Sequence, residues 1–296
     1  MYIVINNEKL NIHKIIYKGK IKIFEHNNNK YVYKEKNRNY NNNVYDYLET
    51  RNFNYYPSII EENDNYVISQ FIEDYDIPLD QKILDMIDLV SLLHSKTVQY
   101  KNVTEDIYKE LYESILNKIN NLNNYYEKKI EEIETKIFMS PFEYLLAKNI
   151  SKIFGSLSYC RYSLDEWFEK VKNNKQIRYV LNHNNLSIDH FLKNKSSYLI
   201  NWNKSNIDIP IYDLYGLYLN HGIDFEFENI LKHYEKTFPL LEEEKLLFLV
   251  FISLPNRLNE DSSEYSKCMY LNKYLEFIKK SENLVLKYNS DKRKNS

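Results

Sequence analysis

The residues whose types and spacing could do chemistry lie between Arg178 and Leu219. They are His183-Asn184-Asn185-Leu186-Ser187-Ile188-Asp189-His190 and, after Ser197-Tyr198-Leu199-Ile200, the pair Asn201-Trp202. Imidazoles and carboxamides dominate here. Asn185 can accept a hydrogen bond or lend a lone pair to a cation, but it carries no charge and takes up no proton near neutral pH. His190, five positions on, offers an imidazole nitrogen, whereas a hard cation such as Mg²⁺ prefers oxygen. Asn201 is again an uncharged amide, and Asn203 adds no charge. The acids of the stretch, Asp189, Asp208 and Asp213, fall beside these positions.

In kinases a His-x-Asp-x-x-x-x-Asn loop supplies a base and one metal ligand, and an Asp on the next strand holds the metal. The stretch from Arg178 to Leu219 resembles that arrangement as it occurs in the aminoglycoside phosphotransferase and choline kinase branch of the kinase-like fold. The pattern there is His-Gly-Asp-Leu-x-x-x-Asn followed by Ile-Asp-Trp. The motifs are similar above all to a bacterial group of spore-coat-associated kinase-like proteins. On this resemblance His183 stands at the loop's His, Asn185 at the base, His190 at the metal-binding Asn and Asn201 at the second Asp. The frame is kept and its acids are replaced.

The resemblance implies an α+β, two-lobed protein-kinase-like fold. Residues 1–73 would form an N-lobe of antiparallel strands with one helix, and residues 74–296 a helical C-lobe with catalytic-type loops at 181–192 and 199–213. It also implies a nucleotide site. Gly19, in Tyr17-Lys18-Gly19-Lys20, would cover the phosphates, and Lys34 would meet the α and β phosphates. Glu49, with Asp46 as the alternative, would hold Lys34, and backbone near Gln70 and Ile72 would meet an adenine. Lys34 and Asn201 should then face one cleft. ATP is the implied nucleotide, with Mg²⁺ weakly held or absent. Asp213, in Tyr212-Asp213-Leu214, matches a brace of the lobe, Leu93-His94 matches a packing feature, and Asp189 should point opposite His190.

Three functions compete: a pseudokinase acting as a binding or scaffolding module, an ATP-dependent phosphotransferase on a small-molecule hydroxyl with atypical metal ligands, and a spore-coat or assembly component. Their partners would be a nucleotide or small molecule, and a protein.

The elements that must position these residues are legible upstream and downstream. Tyr2 to Ile5, Ile21 to Phe24 and Tyr31 to Lys34 read as strands, the last two joined at His26-Asn27-Asn28-Asn29 as a hairpin. Val44 to Glu49 reads as a helix, and Tyr56 to Ile60 and Tyr66 to Ile72 as strands running toward a connection near Glu73 to Pro78. Ile83, Ile87, Val90 and His94 then share one helical face, with His94 as a core histidine. Thr104 to Lys136 reads as a long amphipathic region with a candidate break at Asn120 to Asn124. Ser140-Pro141-Phe142-Glu143 is a helix start, and Ser163-Leu164-Asp165-Glu166 repeats its capping pattern. Residues 225–235, 242–254 and 263–280 read as three further helices.

Composition narrows the setting. The 296 residues are 43% hydrophobic and 28% charged, enough for one large or two modest domains. A formal net charge of −2 gives no electrostatic argument for nucleic acid or anionic membrane as partner. The longest apolar run, Leu246 to Leu254, is about half of the ~20 residues a spanning helix needs, and the N-terminus lacks signal-peptide character, so a cytoplasmic setting is expected. Cys160 and Cys268 lack metal-ligand spacing.

Overall fold

The computed structural model describes residues 2–5, 8–11, 15–18, 21–36, 43–259 and 262–295. Alternating apolar residues build its first part. Strands β1 (Tyr2–Ile5) and β2 (Glu8–Asn11) pair antiparallel. Strands β3 (Ile15–Lys18), β4 (Ile21–His26) and β5 (Asn29–Glu35) follow, then helix α1 (Val44–Thr50) and strands β6 (Ile59–Glu62) and β7 (Tyr66–Gln70). β3 to β7 form one antiparallel sheet in the order β3-β4-β5-β7-β6. Asn27 and Asn28 turn between β4 and β5 with φ of 49° and 61°, the left-handed pair that a two-residue hairpin needs and that Asn tolerates. Phe24 and Ile68 fill the sheet's core with Tyr31, Tyr33 and Tyr66 around them. Strand β6 begins at Ile59, not at the expected Tyr56, because Pro57 has no N–H to give a ladder.

Helix α2 (Leu79–Thr97) buries Ile83, Met86, Ile87, Val90, Leu93 and His94. Strand β8 (Gln99–Asn102) leads to α3 (Glu105–Glu134) and α4 (Pro141–Val171). Two expectations fail here. α3 runs unbroken through Asn120 to Asn124, since Ile115, Ile119, Leu122 and Tyr126 keep one face buried across the amides. Ser163 starts no helix: it lies inside α4, where Leu157, Cys160, Leu164, Trp167 and Val171 continue a buried stripe. The start at Ser140 is a true capping box, with Glu143 N donating to Ser140 Oγ at 3.3 Å and Ser140 N to Glu143 Oε2 at 2.9 Å.

Next come β9 (Gln176–Asn182), β10 (Phe191–Lys193), β11 (Ser197–Leu199), β12 (Asn206–Asp208), α5 (Ile211–His221), α6 (Phe227–Thr237), α7 (Glu242–Ser253) and α8 (Glu264–Asn295). α8 outruns its expected end at 280 because Ser281, Leu284 and Val285 stay buried. No described helix is long and apolar enough to cross a membrane.

The chain forms two compact units, residues 1–99, 179–216 and 230–238, and residues 100–178, 217–229 and 239–296. The second is helical, with α4 packed on α3, α7 and α8. Within it the buried Arg178 is held by Glu244, Nε to Oε1 at 2.9 Å, and by the Pro239 carbonyl at 3.0 Å. The first unit contains every residue of the candidate site described next.

Candidate functional site

Lys34 sits next to last on β5, between Ile21 of β4 and Val67 of β7, so the sheet fixes its backbone from both sides. Its Nζ, partly buried, donates to Asn201 Oδ1. Among the described residues no carboxylate comes within ion-pair distance of it. Burial alone pulls its pKa below the ordinary lysine value. Lys34 is thus a half-desolvated cation whose side-chain hydrogen-bond partner is an amide oxygen.

Asn201, two residues past the β10–β11 hairpin, lies in the left-handed region, φ 69° and ψ 46°. The next side chain, Trp202, is buried, with Nε1 donating to Leu199 O at 2.9 Å and its ring edge-on to Phe53 and to His183. The anchored indole and the strained φ together aim the 201 side chain at Lys34. Asn is one of the few non-glycine residues that enters this region at low cost.

The 183–190 loop is held from beneath. Asp213, 1% exposed, accepts the peptide N–H groups of His183 at 2.7 Å and Asn184 at 2.6 Å. It also takes the Nε2 proton of His94 at 3.1 Å, and His94 Nδ1 accepts the Tyr234 hydroxyl at 2.6 Å. This is the bracing expected of Asp213 and the packing expected of His94. Asn184 has φ 56°, so the loop needs a left-handed residue where the family pattern writes Gly, and an Asn supplies it.

His183 is fully buried. Its Nε2 faces the Ile200 carbonyl at 2.9 Å and so carries the proton, leaving Nδ1 an acceptor with no partner. Desolvation lowers its pKa to about 4, against the opposing charge of Asp213, and the ring is neutral at pH 7. Asn185 reaches the Asn201 carbonyl through Nδ2 at 3.4 Å, and its own carbonyl takes the Nδ1 proton of His190 at 2.6 Å. That bond fixes the tautomer of His190 with the Nε2 lone pair free. Asp189 is exposed.

The remaining nucleotide positions divide. Glu49 is exposed and accepts the Tyr56 hydroxyl at 3.3 Å, so Lys34 and Glu49 are not brought together, and Asp46 is exposed on the same helix. The expected pairing of Lys34 with an acid of α1 gives way to Asn201, because Tyr56, packed at a tilt against Tyr45, gives its hydroxyl to the Glu49 carboxylate. Gln70 N is used by Ser58 O at 2.9 Å and Phe71 N by Lys30 O at 2.9 Å, and the chain leaves the sheet at Ile72. From there the connection is pinned to the β10–β11 hairpin: Lys193 N donates to Asp74 Oδ1 and Tyr75 N to Lys193 O, both at 2.7 Å, and Asn194 Nδ2 to Glu73 O at 2.7 Å. Gly19 lies outside the described residues.

Neither a protein-family model nor a curated protein sequence matches this chain. Solved structures do. An aminoglycoside phosphotransferase from Alicyclobacillus acidocaldarius superposes with a TM-score of 0.71 at 9% identity, over 95% of this chain and 92% of that one. The fold is that of the aminoglycoside phosphotransferases. A spectinomycin phosphotransferase is similar at a TM-score of 0.52, in its AMP complex at 14% identity over 92% of this chain and 90% of that one. Its complex with ADP and spectinomycin gives the same score at 13% identity, over 92% and 94%. Sequence reasoning expected Lys34 and Asn201 to face one cleft, and the two side chains meet in a direct hydrogen bond. It missed the role of Asn184, which had a signal, since Asn184 stands at the pattern's Gly.

Proposed function

We propose that this protein is a pseudokinase: a kinase-fold module that binds a nucleotide or a related anionic small molecule in the Lys34–Asn201 cleft and transfers phosphate negligibly. The observation that carries the reading is the Lys34 to Asn201 hydrogen bond, which marks a cation facing an amide where phosphoryl transfer needs an anionic metal ligand. The base position is the amide of Asn185, which cannot take a proton from an acceptor hydroxyl. One imidazole at 190 and one neutral amide at 201 do not fit Mg²⁺, which requires oxygen donors in octahedral array and gains most from carboxylates. The residues do fit the phosphates of ATP, because Lys34 has no counter-ion among the described residues to surrender. Bound AMP and ADP in similar folds support a nucleotide as the ligand.

Titration of the protein with ATP in a calorimeter, with and without Mg²⁺, tests this. Binding of equal strength in both conditions, weakened in Lys34→Ala, is expected, and no heat of binding in either condition would sink it. A second reading, an active phosphotransferase with unusual ligands, draws on one observation. The free Nε2 of His190 is a better donor to Mn²⁺ or Zn²⁺ than to Mg²⁺. The scaffolding role, and with it an association with a spore coat, rests on the resemblance of the motifs alone.

A further inference from the structure

Two cavities of the second unit treat their cations in opposite ways. Between the 218–228 segment and α8, Lys280 is paired with Glu226 at 2.9 Å and Lys287 with Glu228 at 2.6 Å. A larger cavity, of about 380 Å³, opens between α3 and the 255–257 segment, with Lys118 on one side and Arg257 on the other. No carboxylate lines it, and among the described residues neither cation has an acid within ion-pair distance. The chain carries 42 acidic residues against 40 Lys and Arg, so composition does not force that absence. A lone exposed lysine is ordinary, but two uncompensated cations across one cavity repel each other until an anion enters between them.

The sequence brings the rest of the lining together. Ser114, Asn117, Lys118 and Asn121 follow at spacings of three, one and three, a stripe of α3 beside the buried one of Ile115, Ile119 and Leu122. Among the described residues, the Ser114 hydroxyl and the Asn117 and Asn121 carboxamides have no hydrogen-bond partner, so their donors are uncommitted. Asn121 belongs to the asparagine run that would weaken a helix and does not break this one.

The opposite side is fixed in advance. Asn256 N donates to the Tyr274 hydroxyl at 2.9 Å, and Asn256 O accepts the Tyr126 hydroxyl at 2.5 Å. The Arg257 guanidinium lies 5.3 Å from the centre of the Tyr125 ring, a cation–π contact that holds the group without using any of its N–H donors. A fork held this way presents two parallel donors to one oxyanion, and an ammonium adds a point charge to a further oxygen. Phosphate has more oxygens than a single carboxylate and can occupy the fork, the ammonium and the neutral donors at once. The volume lies within the ~300–1,000 Å³ usual for small-molecule sites. We infer that this cavity binds a phosphate-bearing small molecule, with the phosphate between Lys118 and Arg257. It shares no residue with the Lys34–Asn201 cleft and does not depend on the nucleotide reading.

Titration of the full chain with pyrophosphate, followed by the Nε–Hε NMR signal of Arg257, tests the inference; Arg257→Gln identifies that signal by its loss. Sodium chloride at matched ionic strength controls for screening, and citrate sets carboxylates against phosphate. The Arg257 signal should shift saturably below about 10 mM pyrophosphate. Lys118→Gln, at an exposed position, should keep its melting curve and weaken the response about ten- to hundredfold, the worth of one charge-assisted contact, while Lys118→Arg should retain it. Lys34→Ala should leave the shift as it is, which separates this site from the cleft. No saturable shift, a shift that chloride reproduces, citrate binding as tightly as pyrophosphate, an unchanged response in Lys118→Gln, or its loss in Lys34→Ala would each overturn the inference.

Discussion

Two carboxylate positions of the first unit have gone opposite ways. Beneath the 183–190 loop, Asp213 keeps its charge and spends it on two peptide N–H groups and the His94 imidazole, all out of water. Across the same loop, where a carboxylate would meet a metal, Asn201 presents an amide to Lys34. A buried carboxylate that satisfies backbone donors is a condition of folding, whereas a carboxylate in an open cleft mainly serves chemistry. On the proposed reading, a chain that keeps the first without the second separates the scaffold of the fold from its catalysis.

The comparison breaks most visibly at Asp213. Asp213→Ala would strand the His183 and Asn184 peptide N–H groups and the His94 ring in an apolar interior, a loss of about 3–5 kcal/mol by analogy with a broken buried pair. Chemical denaturation should show it, and a loss under 1 kcal/mol would mean that the loop is held by something else.

Next in size is the pH response of His183. Its folded pKa of about 4 lies below the ordinary 6.5, so the unfolded chain binds the proton more readily. The stability this histidine contributes is present above pH 6.5 and is lost as pH falls toward 4, about 3 kcal/mol over the interval. Denaturation midpoints measured from pH 7 to pH 4 should fall, and His183→Gln should flatten the fall. An equal slope in the variant would place the titration elsewhere.

On the cleft side the effects concern ligands. Lys34→Ala should weaken ATP by about 1.5–3 kcal/mol, the worth of a charge-assisted contact, without unfolding the sheet. Unchanged affinity would make Lys34 a structural partner of Asn201 and nothing more. Asn201→Asp restores the missing charge and should convert any thermal stabilisation by ATP into a Mg²⁺-dependent one, up to about 2.7 kcal/mol at a hundredfold excess of ligand over Kd. Smallest of all, Glu49→Ala should change ATP affinity by no more than about 0.5 kcal/mol, because that carboxylate is exposed and bonded to Tyr56.

The same division governs what could be read from the chain alone. Hairpin β4–β5, the α2 face and the Ser140 cap were legible because each is local: two asparagines at a turn, apolar residues three and four apart, a Ser-Pro-x-Glu start. The loop around His183 was legible because several residues hold a fixed spacing. Lys34 and Asn201, 167 positions apart, were expected in one cleft from the order of the motifs, but their direct hydrogen bond was not. The partner of Glu49 was not legible either, because packing around Tyr45 and Tyr56 gives that carboxylate to the Tyr56 hydroxyl. The unbroken run of α3 through its asparagines shows tertiary burial overriding weak local propensity.

The central claim, a cleft that binds without transferring, is met most directly by ADP release from ATP at saturating nucleotide, with Mg²⁺ and separately with Mn²⁺. The base and the metal ligand act on one barrier, so their losses need not add, but the missing base alone should cost roughly 10²–10⁴ in rate. The account predicts release indistinguishable from a protein-free control under conditions where calorimetry shows ATP bound. Metal-dependent release by the unaltered protein, abolished in Asn185→Ala or His190→Ala, would contradict it.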